Sequence, residues 1–352
     1  MKQIDSISLC MIVKNEEAFL DGALKSVKSV LGLGDIVVVD TGSTDRTKEI
    51  ALENGARVFD FSWIDDFSAA RNFAAEKAEN DWIFVLDADE EVTEADSGEL
   101  EAFIKNARDV GQLAIVELLD NDVHNISRLY NRKKYTYEGS IHEQIRPRGG
   151  LRPASKAAPI RAVHHGYLPE VRQAKDKFER NERMLKKELE DSPGDPYLLY
   201  QLGKNYFTGK KDLKQACDYF EKALSSGADP RLEYIYNSVE CYGYALINSG
   251  QYEKALGLIE KHSGSYGDII KFRFLSAHVY QNNGMFIEAV ECYERCIGAD
   301  LADISGICSY LSYYNIGVIL ECVGMTEDAI TMYENCGDFG PAMKRLSELR
   351  KL

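Results

Sequence analysis

Small residues recur at a nearly constant interval in the second half of the chain. Two series show this spacing: Gly203, Gly243, Ala277 and Gly317, and Ala216, Ala255, Ala289 and Ala329. The steps are 40, 34 and 40 residues in the first series and 39, 34 and 40 in the second. Periods of roughly 20–50 residues are typical of repeat architectures. Because two helices of one repeat can meet through a small residue, we expect this half to stack into an all-α solenoid.

The residues around these positions favour one kind of helical repeat. Leu202-Gly203-x-x-Tyr206 and Ala289-x-x-x-Tyr293 fit the spacing of tetratricopeptide repeats. A basic helical stretch before them gives way to a Ser-Pro-Gly-Asp-Pro sequence at 192–196. We therefore place the boundary between Tyr167 and Pro196 and predict two domains, 1–170 and 171–352.

The first half of the chain alternates between strand-like and helix-like patterns. Buried strands are predicted at Ile7–Val13, Asp35–Asp40, Arg57–Phe61 and Trp82–Leu86. Helices are predicted between them at Glu16–Val30, Asp45–Asn54 and Ser68–Glu79. Strand–helix–strand order gives right-handed crossovers and a mainly parallel sheet, so the predicted fold class is an α/β domain followed by an all-α solenoid. Ligands of such sheets bind at the carboxyl ends of the strands.

The charge balance excludes one broad class of function. The chain has 42 Lys and Arg residues against 57 Asp and Glu, a formal charge of −15, whereas a general nucleic-acid binder usually has a basic surface. No run of about 18 apolar residues predicts a transmembrane helix, and the N-terminus lacks the layout of a signal peptide. The eight cysteines form no zinc-binding pattern and are expected to be buried apolar residues. We expect a cytoplasmic protein.

Acidic residues directly follow or end two of the predicted strands. Asp87 and Asp89 continue from Trp82–Leu86, and carboxylates at this spacing can bind Mg²⁺ or Mn²⁺ that bridges to a diphosphate. Asp40 lies at the tip of the second strand, where a carboxylate can accept a hydrogen bond from a ring N–H of a nucleobase. Each motif alone also fits a simpler structure, either an acidic turn that caps the next helix or a helix start without a ligand.

Basic residues and one loop acid are further candidates. Glu16 follows the first strand, and Arg71 lies in an Ala-rich helix from which its guanidinium could bind a phosphate or a base. Between Arg128 and Arg161 there are nine Lys or Arg residues and two Glu, so this stretch carries +7 and favours a polyanionic ligand. The structural alternatives are an exposed polar loop, a surface ion pair and a solvated basic face.

Two histidine-containing segments complete the set. His142 precedes Glu143, and His164 precedes His165. A histidine and a carboxylate beside a substrate could act as a base or as metal ligands. A structural His–Glu pair is the alternative for the first segment.

Taken in order, five segments resemble family 2 glycosyltransferases with the GT-A fold. The segments are SLCMIVKNEE, VVVDTGSTDRT, FSAARNFA, WIFVLDADEE and GSIHEQI, and they cover about the first 167 residues. The helical second half resembles the branch of this family that carries tetratricopeptide repeats, which includes enzymes that glycosylate cysteine or serine in bacteriocin-like peptides. The resemblance implies a UDP-sugar donor, Mn²⁺ or Mg²⁺, and a peptide or protein acceptor.

The resemblance also implies roles for single residues in binding the nucleotide. Asp40 matches the acid that contacts uracil, and Val13 and Glu16 match residues that line the nucleotide. Arg71 matches a basic residue beside the uracil and the phosphates, and Asp87 matches the first Asp of the Asp-x-Asp motif, directed toward the ribose or the sugar.

Asp89 matches the metal-binding residue of the same motif, and we expect His165 or His164 to complete the metal shell. The expected reaction is an inverting displacement at the sugar, in which a carboxylate takes the proton of the acceptor. We assign this role to Glu143, with His142 as the alternative.

Other functions stay open at this point. The acceptor could be a glycan or a cell-surface polysaccharide, or the chain could be a repeat scaffold with an inactive transferase domain. A sugar-phosphate nucleotidyltransferase is disfavoured, because the first strand is followed by Lys14-Asn15-Glu16-Glu17 and not by a Gly-rich loop containing Arg. The repeats could also hold a second subunit, so a homodimer is possible.

Overall fold

The computed structural model describes residues 6–106, 110–117, 123–149, 155–165, 171–297, 299 and 306–350. The chain divides into two compact units, Met1–Gln173 and Ala174–Leu352. The first unit contains strands and helices, and the second contains helices.

Most strands of the N-terminal unit belong to one sheet. They are β1 (Ile7–Val13), β2 (Asp35–Asp40), β3 (Arg57–Asp60), β4 (Trp82–Val85), β5 (Glu90–Ala95), β6 (Val110–Glu117), β7 (Val123–Asn131), β8 (Tyr135–Glu138), β9 (Gln144–Pro147) and β10 (Ser155–His164). Within the described residues, eight of them form a sheet in the order β3-β2-β1-β4-β7-β6-β10-β5, and β8 pairs with β9 in a separate hairpin.

The sheet is mainly parallel, as predicted. Strands β3, β2, β1 and β4 are parallel to one another, and β6 is parallel to β10. Strand β7 is antiparallel to both β4 and β6, and β10 is antiparallel to β5. In the register of β1 with β2, Val13 lies opposite Asp40, so the carboxyl ends of these strands meet at one edge of the sheet.

The helices of the N-terminal unit cover the sheet. They are α1 (Leu20–Val30), α2 (Thr47–Glu53), α3 (Phe67–Lys77) and α4 (Ser97–Asn106). On one face, α1 packs its buried Leu20, Ala23, Leu24 and Val27 onto the strands. On the other face, Ala74 and Ala75 of α3 pack against Val37 and Val39 of β2.

The predicted strands agree with the structure more closely than the predicted helices. Strands β1 and β2 have the predicted bounds, and β3 and β4 end one residue earlier. Helix α1 begins at Leu20 and not at Glu16, because the preceding residues form a turn in which Phe19 N donates to Glu16 O. Helix α2 begins at Thr47 because the Asp45 side chain accepts from Thr47 N at 3.0 Å.

The described residues of the C-terminal unit form helices joined by short connections. They are α5 (Val171–Asp191), which begins just before this unit, α6 (Pro196–Lys204), α7 (Leu213–Ser225), α8 (Glu233–Asn248), α9 (Tyr252–Tyr266), α10 (Ile270–Asn282), α11 (Phe286–Ile297), α12 (Tyr310–Cys322), α13 (Thr326–Glu334) and α14 (Gly340–Leu349). A π-helical turn, Asn205–Lys210, continues α6. None of the helices in the described ranges is long and apolar enough to cross a bilayer.

Small residues set the close approach of paired helices in this unit. A Cβ atom added to Gly203 of α6 would lie 2.7 Å from the Phe220 ring of α7. A Cβ atom added to Gly317 of α12 would lie 2.7 Å from the Tyr333 ring of α13. Since both rings are buried, these glycines allow contacts that any larger residue would obstruct. The helical solenoid predicted from the spacing of small residues is confirmed.

Candidate active site

The first carboxylate of the Asp-x-Asp segment, Asp87, is 35% exposed and pairs with two buried arginines after β4. Arg71 Nη2 donates to Asp87 Oδ1 at 3.1 Å, and Arg128 Nη2 donates to Asp87 Oδ2 at 2.5 Å. Arg128 Nη2 also donates to Glu90 Oε1 at 3.0 Å, while Glu90 Oε2 accepts from Asp87 N. Burial raises the pKa of the Asp87 carboxyl, but the two guanidinium groups outweigh this effect and hold its pKa well below the usual range.

Hydrogen bonds on both sides of Arg71 hold its helix in place. Asp66 caps α3 by accepting from Ala69 N at 2.8 Å. Asn72 Nδ2 donates to Tyr137 O of β8, and Asn72 Oδ1 accepts from Tyr137 N. The Arg71 guanidinium lies 5.5 Å from the centre of the Tyr137 ring, within cation–π range. Arg71 Nη1 is buried without a hydrogen-bond partner in the described part of the chain, so this nitrogen is available to a ligand.

Asp40 is buried at the tip of β2, with 1% of its surface exposed. Its Oδ1 atom accepts from Gly42 N and Ser43 N, each at 2.9 Å. Lys48 Nζ lies 3.7 Å from the same oxygen and pairs more closely with Asp60. Among the described residues, Oδ2 of Asp40 has no hydrogen-bond partner. A buried carboxylate oxygen without a donor is costly, so we take Oδ2 as a position where a ligand donates.

The loop after β1 is tied to the loop after β2. Asn15 has a positive φ of 57°, its backbone N donates to Ser43 Oγ, and its Oδ1 accepts from Thr44 N. Strained residues of this kind persist where surrounding contacts fix them, often at functional sites. Val13, the last residue of β1, is buried and its carbonyl accepts from both the backbone and the hydroxyl of Thr41.

Glu16 lies near the acidic residues that follow β4. Burial raises the pKa of its carboxyl to about 7, and the negative charges of Asp89, Asp87 and Asp45 act in the same direction. The structure therefore brings Glu16 to the same edge of the sheet as the Asp-x-Asp segment.

The second carboxylate of the Asp-x-Asp segment has a histidine neighbour. Asp89 Oδ2 lies 3.0 Å from His164 Nε2, at the end of β10. His165 is joined to Asp89 through its backbone, because its N donates to Asp89 O at 3.0 Å. The Nε2 atom of the His165 ring instead lies 3.1 Å from Glu91 Oε1, without the alignment of a hydrogen bond. The same ring stacks near Phe19. Of the two histidines considered for the metal shell, the structure places His164 and not His165 against the Asp89 carboxylate.

The donor set around Asp89 is incomplete for a metal held by protein alone. Within the described ranges, no group of three or more His, Cys, Asp or Glu side chains is arranged to hold a metal ion. Mg²⁺ usually takes one or two carboxylates and completes its shell with water and substrate phosphates. The pair of Asp89 and His164 fits a metal that arrives with, or is completed by, a diphosphate.

The two candidates for the catalytic base lie between β8 and β9. Glu143 accepts from Arg71 Nε at 2.5 Å and is largely buried. His142 is exposed and has a positive φ of 51°. Glu143 therefore joins the Arg71 network, whereas His142 lies on the surface beside it.

Sequence reasoning missed Arg128 and Glu90 as members of the site. Arg128 was counted within a basic stretch, and the antiparallel position of β7 beside β4 brings it to Asp87. Glu90 was one of several acids after β4, and only the turn in which Glu90 N donates to Asp87 O points its side chain back to the network. The alternation of apolar and polar residues in β7 is a signal that assigns Arg128 to one face of a strand. It does not show that Asp87 lies beside it.

A parallel sheet whose strand ends gather carboxylates and buried arginines is typical of α/β enzymes that bind nucleotides. Residues 8–154 match Glycosyl transferase family 2, and residues 196–226 and 270–303 match the tetratricopeptide repeat. The N-terminal part of the chain is thus similar to glycosyl transferase family 2, and segments that match tetratricopeptide repeats follow it. The family resemblance predicted from the five segments is confirmed.

Three relatives are similar to parts of this chain. A TPR repeat-containing protein from Synechococcus elongatus is 34% identical over 249 residues, which are 65% of this chain and 59% of that protein. The SPbeta prophage-derived glycosyltransferase SunS of Bacillus subtilis is 26% identical over 231 residues, 63% of this chain and 54% of that protein. An uncharacterized glycosyltransferase from Rickettsia felis is 31% identical over 151 residues, 40% of this chain and 52% of that protein. The matches span little more than half the length of these relatives.

Proposed function

We propose that the protein transfers a sugar from a nucleotide-sugar, a UDP-sugar, to a peptide or protein acceptor. The observation that carries the donor assignment is the buried Oδ2 atom of Asp40, which has no donor among the described residues. The Oδ1 atom already accepts two backbone N–H groups, so the carboxylate is fixed in orientation. A uracil ring offers one N–H between two carbonyl groups, and this donor matches a single free acceptor.

The neighbouring residues fit the diphosphate of such a donor. Arg71 keeps one buried nitrogen without a partner in the part of the chain that the structure describes, and a guanidinium binds phosphate oxygens well. Val13 ends β1 opposite Asp40, and Glu16 follows in the next loop, so we assign both to the lining of the nucleotide. Asp87 is held by two arginines, so we assign it a contact with the ribose or the sugar and not with the metal.

Asp89 and His164 would hold a divalent cation, Mn²⁺ or Mg²⁺, together with the diphosphate. A cation there would offset the negative charge that grows on the departing diphosphate. His165 lies one residue further and is directed to Glu91, so we assign it a supporting position.

The acceptor proton has two candidate bases on the chain. Glu143 is the first, but its Oε1 atom is bound by Arg71 Nε in the structure. We therefore assign the acceptor proton to the other carboxylate oxygen of Glu143, Oε2. His142 is the second candidate and is exposed beside it. The reaction we infer is an inverting displacement at the sugar.

The acceptor assignment rests on the repeats. Stacked helical repeats create extended surfaces that bind segments of other chains. A peptide or a protein is therefore the acceptor that the C-terminal unit supports best, and the identity of the sugar is left to the experiment below.

The donor assignment is tested by measuring UDP binding to the Asp40→Asn variant by calorimetry. The change replaces an acceptor with a donor amide while the two backbone contacts can persist. We expect UDP affinity to fall about ten- to a hundredfold, the equivalent of one lost charge-assisted hydrogen bond of roughly 1.5–3 kcal/mol. Asp60→Asn is the matched control, because Asp60 lies opposite Asp40 in the register of β2 with β3 but has an exposed side chain. Equal UDP affinity in both variants would remove Asp40 from the nucleotide site.

A further inference from the structure

A cavity opens in the N-terminal unit. It has a volume of about 360 Å³, and the residues that line it include Glu76 of α3, Tyr130 of β7, and three cations, Arg132, Lys133 and Arg148. Small-molecule sites in proteins usually have volumes of about 300–1,000 Å³. The cavity is therefore large enough for a small ligand and is lined by more positive than negative charge.

This cavity lies away from the nucleotide edge. Strand β7 runs antiparallel to β4, and Asn131 is opposite Trp82, the first residue of β4. Arg132 N then donates to Asp81 O, so Arg132 and its neighbour lie beyond the amino end of β4. Asp87 follows the other end of the same strand, roughly 15 Å away at about 3.3 Å per residue.

The cations differ in how much of their charge is already paired. Arg132 Nη1 donates to two carbonyls at the end of α3, and Lys133 pairs with Asp81 at 2.6 Å. Arg148 donates through Nε to Arg132 O, and its guanidinium has no ion-pair partner among the residues that the structure describes. The exposed Glu76 also lines the cavity. Arg148 is therefore the cation most available to a bound anion.

The cavity wall also contains a buried hydroxyl group. Tyr130 is 1% exposed, and its hydroxyl has no hydrogen-bond partner within the described ranges. Burial raises the pKa of this phenol well above its usual value, while the positive charges of Arg71 and Arg148 act against the rise. Tyr130 and Arg148 both line the cavity. The hydroxyl is thus a neutral group that can donate a hydrogen bond to an anion held by Arg148.

We propose that this cavity binds the phosphate group of a small phosphorylated molecule at a site separate from the nucleotide edge. Arg148 supplies a planar pair of N–H donors, Tyr130 supplies a hydroxyl donor, and Lys133 adds charge at the rim. The sequence already indicated an anionic ligand, because nine of the eleven charged residues between 128 and 161 are basic. In the structure, the basic residues of that stretch lie in two places. Arg128 lies at the nucleotide edge, and the cations that line the cavity lie at the other end of β4.

The probe for this site is inorganic phosphate, titrated by calorimetry into the full chain at constant ionic strength. Two variants, Tyr130→Phe and Arg148→Gln, should each weaken phosphate binding about tenfold or more, as loss of a hydrogen bond to a charged group predicts. The first change keeps the ring that packs against Tyr137 and removes a hydroxyl with no protein partner in the described residues, so the fold should persist. Lys134→Gln is the matched control, since this exposed lysine does not line the cavity.

The outcomes separate the alternatives. Phosphate affinity that is unchanged in both variants would place the anion elsewhere and overturn the proposal. Acetate that binds as tightly as phosphate would overturn the assignment to phosphate. UDP affinity should stay within twofold of the wild type in both variants, and this comparison keeps the test independent of the function proposed for the nucleotide edge.

Discussion

Replacing Arg128 by Met would remove one guanidinium from the buried network while keeping an unbranched side chain. Arg128 contacts both Asp87 and Glu90, and 8% of its surface is exposed. In the variant, Arg71 would be the cation that remains in the network, and it contacts Asp87. We expect the N-terminal unit to lose stability and Asp87 to lose its fixed orientation.

The magnitude follows from the burial of the network. Removing one partner of a buried ion pair costs about 3–5 kcal/mol, because an uncompensated charge is left inside the protein. An exposed pair contributes about 0–1 kcal/mol. Arg46→Met is therefore the matched control, since Arg46 pairs with Glu49 and Glu53 at an exposed position directly before α2.

The pH dependence gives the sign of the effect. In the wild type the pKa of Asp87 is depressed, so its contribution to stability is present above the pKa of the unfolded chain and is lost as the pH falls. In the variant, burial without Arg128 should raise the pKa of Asp87 and raise that of Glu90 further. Protonation of these carboxyls then favours the folded state, so the deficit of the variant should shrink as the pH is lowered from about 8 toward about 5.

Tryptophan fluorescence during urea unfolding measures this effect in the intact chain. Both tryptophans, Trp63 and Trp82, lie in the N-terminal unit, so the signal reports on that unit. A loss no larger than that of Arg46→Met would refute the view that the network is buried and tightly coupled. A loss of unfolding free energy in Arg128→Met that grows as the pH falls would refute the view that the uncompensated charges of Asp87 and Glu90 cause it.

Two further predictions concern packing and titration. Gly203→Ala should destabilise the solenoid by about 1–3 kcal/mol, because the added methyl group overlaps the buried Phe220 ring. Gly257 has open space around it, so Gly257→Ala should stabilise the solenoid by up to about 1 kcal/mol. Circular dichroism during unfolding measures both changes. Equal effects would contradict the packing argument. The raised pKa of Glu16, about 7, means that stability should fall as the pH rises from about 4.5 to about 7, and Glu16→Gln should abolish this part of the fall. After discounting for solvent at this half-buried residue the change is about 1 kcal/mol, and an unchanged pH profile of the variant would contradict it.

Much of the fold could be predicted because its elements have simple patterns. The apolar runs of β1 and β2 gave their bounds directly, and the spacing of small residues gave the helical repeats. The edge that carries the site was also predictable, because parallel strands place their carboxyl ends together. Asp40 and Asp87 could be assigned to that edge for this reason alone.

The partners inside the site could not be predicted in the same way. A surface ion pair is the structural alternative that the sequence offers for Arg71, and its guanidinium instead pairs with Asp87 and Glu143 inside the site. These contacts join residues 16 and 72 positions apart, and local patterns carry no information on such pairs. The same holds for His164, since the register of β10 beside β5 decides which of two adjacent histidines reaches Asp89.

The central claim is tested most directly by measuring UDP release from a panel of UDP-sugars, with Mn²⁺ and with a chelator, for the wild type and for Asp89→Ala. The account predicts Mn²⁺-dependent release from at least one UDP-sugar by the wild type and its loss in the variant, with the tryptophan signal of the folded N-terminal unit unchanged. Glu91→Ala is the control, because this residue lies two positions further along β5 and contacts His165 and not Asp89. Mn²⁺-dependent release that persists in Asp89→Ala, or no release by the wild type from any UDP-sugar, would contradict the account.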